Sequence, residues 1–171
     1  MEIVRTLRNY CAFILVTAAT FNALPGSCTK VETGSTVQIA HLRCENLANP
    51  LGIDATTPRL SWILLPTRPE ARNLKQTSYR VLVASSLALL DKDEGDLWDT
   101  GKVNSSQSTQ LHYTGKPLGS QQNAWWKVKA WDQDDKPSAW SSAATWSMGL
   151  LKESDWNGKW IGVRGGDGAS E

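Results

Sequence analysis

Trp125-Trp-Lys-Val-Lys-Ala-Trp131 is two sequences interleaved. Trp126, Val128 and Ala130 fall on one side of an extended chain, and Trp125, Lys127, Lys129 and Trp131 fall on the other. An apolar face and a mixed aromatic–basic face, followed at once by the turn-forming run Asp132-Gln-Asp-Asp-Lys-Pro137, define a strand of a two-faced antiparallel sheet. Working upstream, Tyr79-Arg-Val-Leu-Val-Ala84 shows the same period of two, with Tyr79, Val81 and Val83 on one face. Leu60, Trp62 and Leu64 alternate with Ser61 and Ile63 between Pro58 and Pro66, which predicts a strand with an inward Trp62. Leu97 to Val103 reads as a short strand broken at Gly101, Thr109–Tyr113 as another, and Ala144–Met148 closes the set with Trp146 and Met148 on one face. Ser85–Glu94 reads as a loop or a single helical turn.

Six or seven short strands with polar turns predict an all-β, antiparallel sandwich of the fibronectin-III or immunoglobulin type over residues 42–150. A parallel sheet would need crossover helices of about a dozen residues, and no helical period of that length follows residue 41. Trp62 on an early strand and Trp126 on a late one are expected to share the core.

Composition agrees with a small globular domain. The 171 residues carry 18 basic and 17 acidic side chains, a formal charge of +1, which argues against a nucleic-acid partner and against an acidic disordered tail. Nine Trp against three Tyr and two Phe is the unusual feature, and Trp supplies a large apolar body with one N–H to satisfy.

The first 27 residues read as an export signal. Arg5 and Arg8 precede the uncharged run Cys11–Phe21, which is too short to cross a bilayer and is followed by Pro25-Gly26. Small residues before Cys28 resemble a bacterial lipoprotein processing site, with Cys28 as the lipidated residue; Pro25 stands where Leu is usual, and ordinary signal-peptidase cleavage is the alternative. Residues 28–41 are small and polar and read as a tether. The expected location is the bacterial periplasm or the outer-membrane surface, with membrane contact through the Cys28 lipid alone. A lipidated Cys28 leaves Cys44 a lone buried thiol; otherwise a Cys28–Cys44 disulfide is open to it in an oxidising compartment.

The segment from Trp126 through the acidic turn to Ser138-Ala-Trp-Ser141 resembles the late-strand signature of fibronectin type III modules. The Tyr expected at its start is Trp126 here, so the phenolic corner hydrogen bond lacks its usual donor. A longer set of motifs is more specific. Leu42–Asp54 with Thr57–Trp62, Gln76–Ser85, Gly95–Val103 and Met148–Gly162 together resemble, in order, the N-terminal region of bacterial α-L-rhamnosidases of glycoside hydrolase family 78. The resemblance implies a fibronectin-III-like accessory module, a junction at Asp155–Ile161 leading into a second β-domain begun in 151–171, and a catalytic (α/α)₆ barrel further downstream. Val163–Glu171 no longer reads like the family, as a fragment, premature stop or frameshift would explain. The implied partners are the downstream domains of the parent glycosidase and, through it, rhamnose-containing glycans.

On this reading the chain holds no catalytic residue. Inverting glycoside hydrolysis needs two carboxyl groups about 6.5–9.5 Å apart flanking a pocket. Asp132, Asp134 and Asp135 are neighbours in a turn, where solvated turn-formers are expected. Asp91-Lys-Asp-Glu-Gly-Asp96 only faintly resembles a calcium loop, since its Gly comes one place early and Lys102 stands where the bidentate Glu belongs. His41 and Cys44 have no second metal-ligand pair, so no metal and no cofactor is expected. Ser27-x-x-Lys30 falls at the processing site, Gly165-Gly166 and Gly168 open no helix, and Asn104-Ser-Ser106 is a glycosylation sequon that matters only in a eukaryotic secretory route. Trp125 and Trp131 are the candidate sugar-stacking residues, against the alternative that they pack structurally or dock a neighbouring domain. A cell-surface adhesion role is the third reading, because this fold hosts many functions.

Overall fold

The computed structural model describes residues 34–159 and 161. The signal, Cys28, the first part of the tether and the glycines at 165, 166 and 168 lie outside the described residues.

Two antiparallel sheets face each other. The first contains β1 (Val37–Cys44), β2 (Arg59–Pro66) and a two-residue strand at Leu111–His112, in the order β1, β2, Leu111–His112. The second is centred on β3 (Ser78–Ala84), which is followed in the chain by α1 (Leu87–Asp91) and the two short strands β4 (Trp98–Asp99) and β5 (Val103–Asn104). Both short strands pair with the same edge of β3, so the broken strand expected around Gly101 is real; Gly101 has φ 60°, a left-handed conformation that costs glycine nothing. With Leu111–His112 numbered β6, the second sheet continues through β7 (Asn123–Trp131) to β8 (Ala144–Ser147). Ser86 caps α1 by accepting the Leu89 N–H at 3.3 Å, which makes the ambiguous 85–94 segment a helical turn.

The β3–β7 register explains the core. Val83 stands opposite Trp126, Val81 opposite Val128 and Tyr79 opposite Ala130, all facing inward. Between β7 and β8, Ala124 stands opposite Trp146, so a small residue makes room for the large ring. Trp62 and Trp126 share one buried cluster with Tyr79, Tyr113 and Trp146. Trp62 bridges the sheets by an edge-to-face contact with Tyr79 at 5.4 Å, while Trp98, Tyr113, Trp146 and Trp126 form a chain of such contacts at 5.3, 5.7 and 6.4 Å. Each buried indole removes about 150–250 Å² from water, worth about 4–6 kcal/mol at about 25 cal/mol per Å². Trp62, Trp126 and Trp146 are therefore the largest single contributors to the hydrophobic term of so small a domain.

β1 starts at Val37, five residues before the expected domain start at 42. Its parity hid it. Val37 and Ile39 face the core, yet so does Cys44, and an odd spacing cannot hold on a regular strand. A bulge between Ala40 and Arg43, with His41 at φ 53°, supplies the missing residue.

The far edge of β8 is covered. Asn49 Oδ1 accepts the Thr145 N–H at 3.0 Å, Pro50 O accepts the Ser147 N–H at 3.1 Å, and Ile53 bridges Met148 in parallel fashion.

Candidate functional site

The outer face of β7 was the predicted place for a sugar contact, and its register sets what each residue meets. Trp125 lies opposite Ala84 and packs, half-buried, with Leu89 and Trp140 on a second cluster of Leu82, Ala84 and Leu90. Lys127 lies opposite Leu82 and is buried. Its ammonium donates to Leu90 O at 2.5 Å and to the Asp93 carboxylate, at the C-terminal end of α1. The Trp140 ring covers this face, with Lys129 Nζ 4.5 Å, Lys127 Nζ 5.0 Å and Arg80 Cζ 5.9 Å from its centroid. Lys127 holds the Asp93 carboxyl below its usual range against some desolvation.

Trp131 stands six residues from Trp125 on the same strand, about 20 Å away at about 3.3 Å per residue. Lys102 Nζ sits 4.8 Å over the Trp131 ring and pairs with Asp135 at 2.5 Å. The structure thus places the two candidate rings at opposite ends of the strand, one packed under α1 and Trp140 and one beneath a lysine.

The acidic turn corrects one expectation. Asp134 and Asp135 are exposed, but Asp132 is fully buried. One of its oxygens accepts the Thr36 N–H at 2.8 Å and the Ser35 and Thr36 hydroxyls at 3.0 and 3.1 Å; the other accepts the N–H groups of Asp134 and Lys136 at 3.0 Å. Burial alone would raise its pKa, but the Thr36, Lys136 and Asp134 N–H groups, with the Ser35 hydroxyl, outweigh it and hold the carboxyl below its ordinary value. Such a carboxylate is a structural acceptor. Within the Asp-rich 91–96 segment two carboxylates are committed: Asp93 to Lys127, Asp96 to the backbone and hydroxyl of Ser85 at 2.8 and 2.7 Å. Among the described residues no three His, Cys, Asp or Glu side chains gather as a metal site would require.

The phenolic hydrogen bond missing at Trp126 has a counterpart elsewhere. Tyr113, buried one strand earlier in the opposite sheet, donates its hydroxyl to Lys116 O at 2.6 Å. Its pKa is pushed up to about 12 by burial, with a further contribution from Asp96.

Sequence reasoning missed the construction of the chain's exit. Ser147 is bonded to the 50–52 loop, Gly149 N–H to Ile53 O at 2.9 Å, and Gln121 N–H to Gly149 O at 3.0 Å. Ser120 Oγ accepts the Leu151 N–H at 2.9 Å and donates to the Asp155 carboxylate. These bonds stitch the departing chain to two loops. Two large apolar side chains stay in solvent there, Leu51 at 82% and Trp156 at 60% exposure.

Comparison with known proteins matches residues 39–152 to the family model "Rha78A-like, N-terminal immunoglobulin domain". An α-L-rhamnosidase of Formosa agariphila is 45% identical over 135 residues, 77% of this chain and 14% of the relative. One from Streptomyces avermitilis is 40% identical over 127 residues, 74% of this chain and 12% of the relative. Among solved structures, α-L-rhamnosidase from Dictyoglumus thermophilum superposes with a TM-score of 0.67 at 42% identity, over 72% of this chain and 14% of that one. The Streptomyces avermitilis enzyme complexed with L-rhamnose gives 0.67 at 39%, over 74% and 12%. The chain spans only 12–14% of the length of these relatives.

Proposed function

The chain belongs to the family of Rha78A-like N-terminal immunoglobulin domains, and on that premise we propose that it is the non-catalytic front module of an exported α-L-rhamnosidase-like glycoside hydrolase acting on rhamnose-containing glycans. Its own role is to space and dock the domains that follow. The observation that carries this reading is the exit. The chain leaves through a segment fixed to the sandwich at Ser120, Gly149 and Ile53, beside exposed Leu51 and Trp156. A flexible linker would need none of those bonds, and large apolar side chains left in solvent at the exit suit an interdomain contact.

The proposed lack of catalysis is supported by the carboxylates that the sandwich already uses. Asp132, Asp93, Asp96 and Asp99 each serve as acceptors within the sandwich. None of these four stands free beside a second one in a pocket among the described residues, as acid–base cleavage of a glycoside would require. Incubating the purified chain with an aryl α-L-rhamnoside tests this: the expected outcome is no release above buffer, and enzymatic release would refute it. Reading the DNA downstream of codon 171 tests the parent assignment, with a barrel-encoding frame expected.

Export rests on residues 1–27, and membrane contact on Cys28. Fractionation of cells separates the two routes. Wild-type chain in the membrane fraction with Cys28→Ser in the soluble one establishes the lipid anchor, and both in the soluble fraction establish simple signal cleavage.

A further inference from the structure

The two sheets part along one side, where β4 and β5 edge one sheet and β6 edges the other. The opening is a groove of about 570 Å³, within the range of about 300–1,000 Å³ typical of small-ligand sites. We propose that this groove binds a neutral sugar ring.

Its aromatic wall is Trp98. The ring is half-buried and locked by an edge-to-face contact with Tyr113, centroids 5.3 Å apart at 82°. Gly115 presses on the same residue: a Cβ there would lie 2.6 Å from Trp98 Cβ, so only glycine permits this seat. Val103 and Leu111 continue the apolar surface. Such a surface suits the C–H face of a pyranose and costs little to organise, because packing already holds the indole still.

Around it stand polar groups that keep hydrogen-bonding capacity unused among the described residues. The side chains of His112 and Thr114 form no hydrogen bond with any other described group. Gln107 gives its amide N–H groups to Thr109 O at 3.2 Å and Gln110 O at 3.3 Å, which leaves its Oε1 to accept from elsewhere. An imidazole, a hydroxyl and an amide oxygen together offer donors and acceptors, as sugar hydroxyls require.

Charge sharpens the choice of ligand. Asp99 on the rim is bound by Arg80 at 2.9 and 2.7 Å and by the Gly101 N–H at 2.9 Å. Glu45, close to His112, is bound by Arg59 at 2.5 Å. With both carboxylates answered by arginines, neither a cationic nor an anionic ligand finds an unpaired carboxylate or guanidinium there. A polyhydroxylated, uncharged ring meets every feature of the groove. The site shares no residue with the outer face of β7.

Titrating ¹⁵N-labelled chain with L-rhamnose, D-galactose and D-glucose decides the matter. The expected result is a saturable shift of the Trp98 indole N–H and of the His112 and Thr114 amides with at least one sugar, in the millimolar range usual for single rings. A His112→Ala/Thr114→Val double variant, altered only at exposed positions, should keep its far-ultraviolet spectrum and bind at least about tenfold more weakly. No shift with any of the three sugars, shifts confined to Trp125 or Trp131, or a folded double variant of undiminished affinity would each overturn the proposal. The wild-type map decides it even where a variant misfolds.

Discussion

The carboxylate of Asp132, at the end of β7, accepts the backbone N–H of Thr36 at 2.8 Å, joining positions 96 residues apart. This contact anchors the start of β1 to the opposite sheet.

Its removal should be costly and pH-dependent. Asp132→Asn retains the shape but loses the charge that five donors address, and a cost of about 1–3 kcal/mol is expected. The folded-state pKa lies below the unfolded one, so the folded state binds fewer protons through that window. The contribution is therefore full above the ordinary carboxylate pKa and is lost as pH falls through the lowered value. Urea melts of both proteins at neutral pH and at successively lower pH should show the gap closing on acidification; a pH-independent gap would contradict the assignment.

Trp62 and Trp126 should respond differently to the same substitution. The Trp62 indole donates to Gln76 Oε1 at 2.9 Å, and Gln76 in turn donates to Ser105 O and Gln107 O. The Trp126 indole N–H has no hydrogen-bond partner among the described residues. Both Phe variants lose volume, but only Trp62→Phe strands a buried acceptor, an extra cost of about 1–3 kcal/mol. Trp126→Phe sheds a donor already unsatisfied. Denaturant midpoints for the pair measure the difference, and equal losses would show that Gln76 does not matter. Truncation to Ala at either position should cost about 3–5 kcal/mol, a large part of the stability of such a domain.

The ion pair under Trp140 makes a third case. Lys127 is buried, whereas its partner Asp93 is more than half exposed. Water screens such a pair, so Asp93→Asn should cost only about 1 kcal/mol. Lys127→Met keeps the aliphatic stem against Trp140 and removes a desolvated charge, and should be close to neutral. Thermal melts that rank Lys127→Met far below Asp93→Asn would mean that the charge itself holds α1.

Cys44 should be silent until the protein unfolds. It is a free, buried thiol with its pKa pushed up to about 12, chiefly by burial and further by Glu45. Native chain should react with a thiol reagent only at the rate of opening, and urea should bring the reaction to completion. Rapid native labelling of Cys44 would mean that the β1 end opens independently.

What could be read in advance was whatever alternates. β3 and β7 declared their two faces, and the inward Trp62, Trp126 and Trp146 followed from spacing alone. Features built by tertiary closure were not legible. Trp140 lies in a segment without period, so nothing marked it as the cover of Lys127 and Lys129. Asp132 looked like its exposed neighbours because burial of a carboxylate depends on donors nearly a hundred residues away. The β1 start was concealed by one bulged residue. The groove draws on Trp98, Gln107 and His112, whose proximity comes from pairing of strands only two residues long.

The cover over the far edge of β8 bears on how the domain can be handled. A bare strand margin invites a second molecule to add its own strand, the first step toward amyloid-like stacking. Here Asn49 and Pro50 already occupy the Thr145 and Ser147 amides, and the opposite margin is split into pieces too short to template a neighbour. The isolated sandwich is thus guarded against edge-wise fibril growth at both ends of its larger sheet.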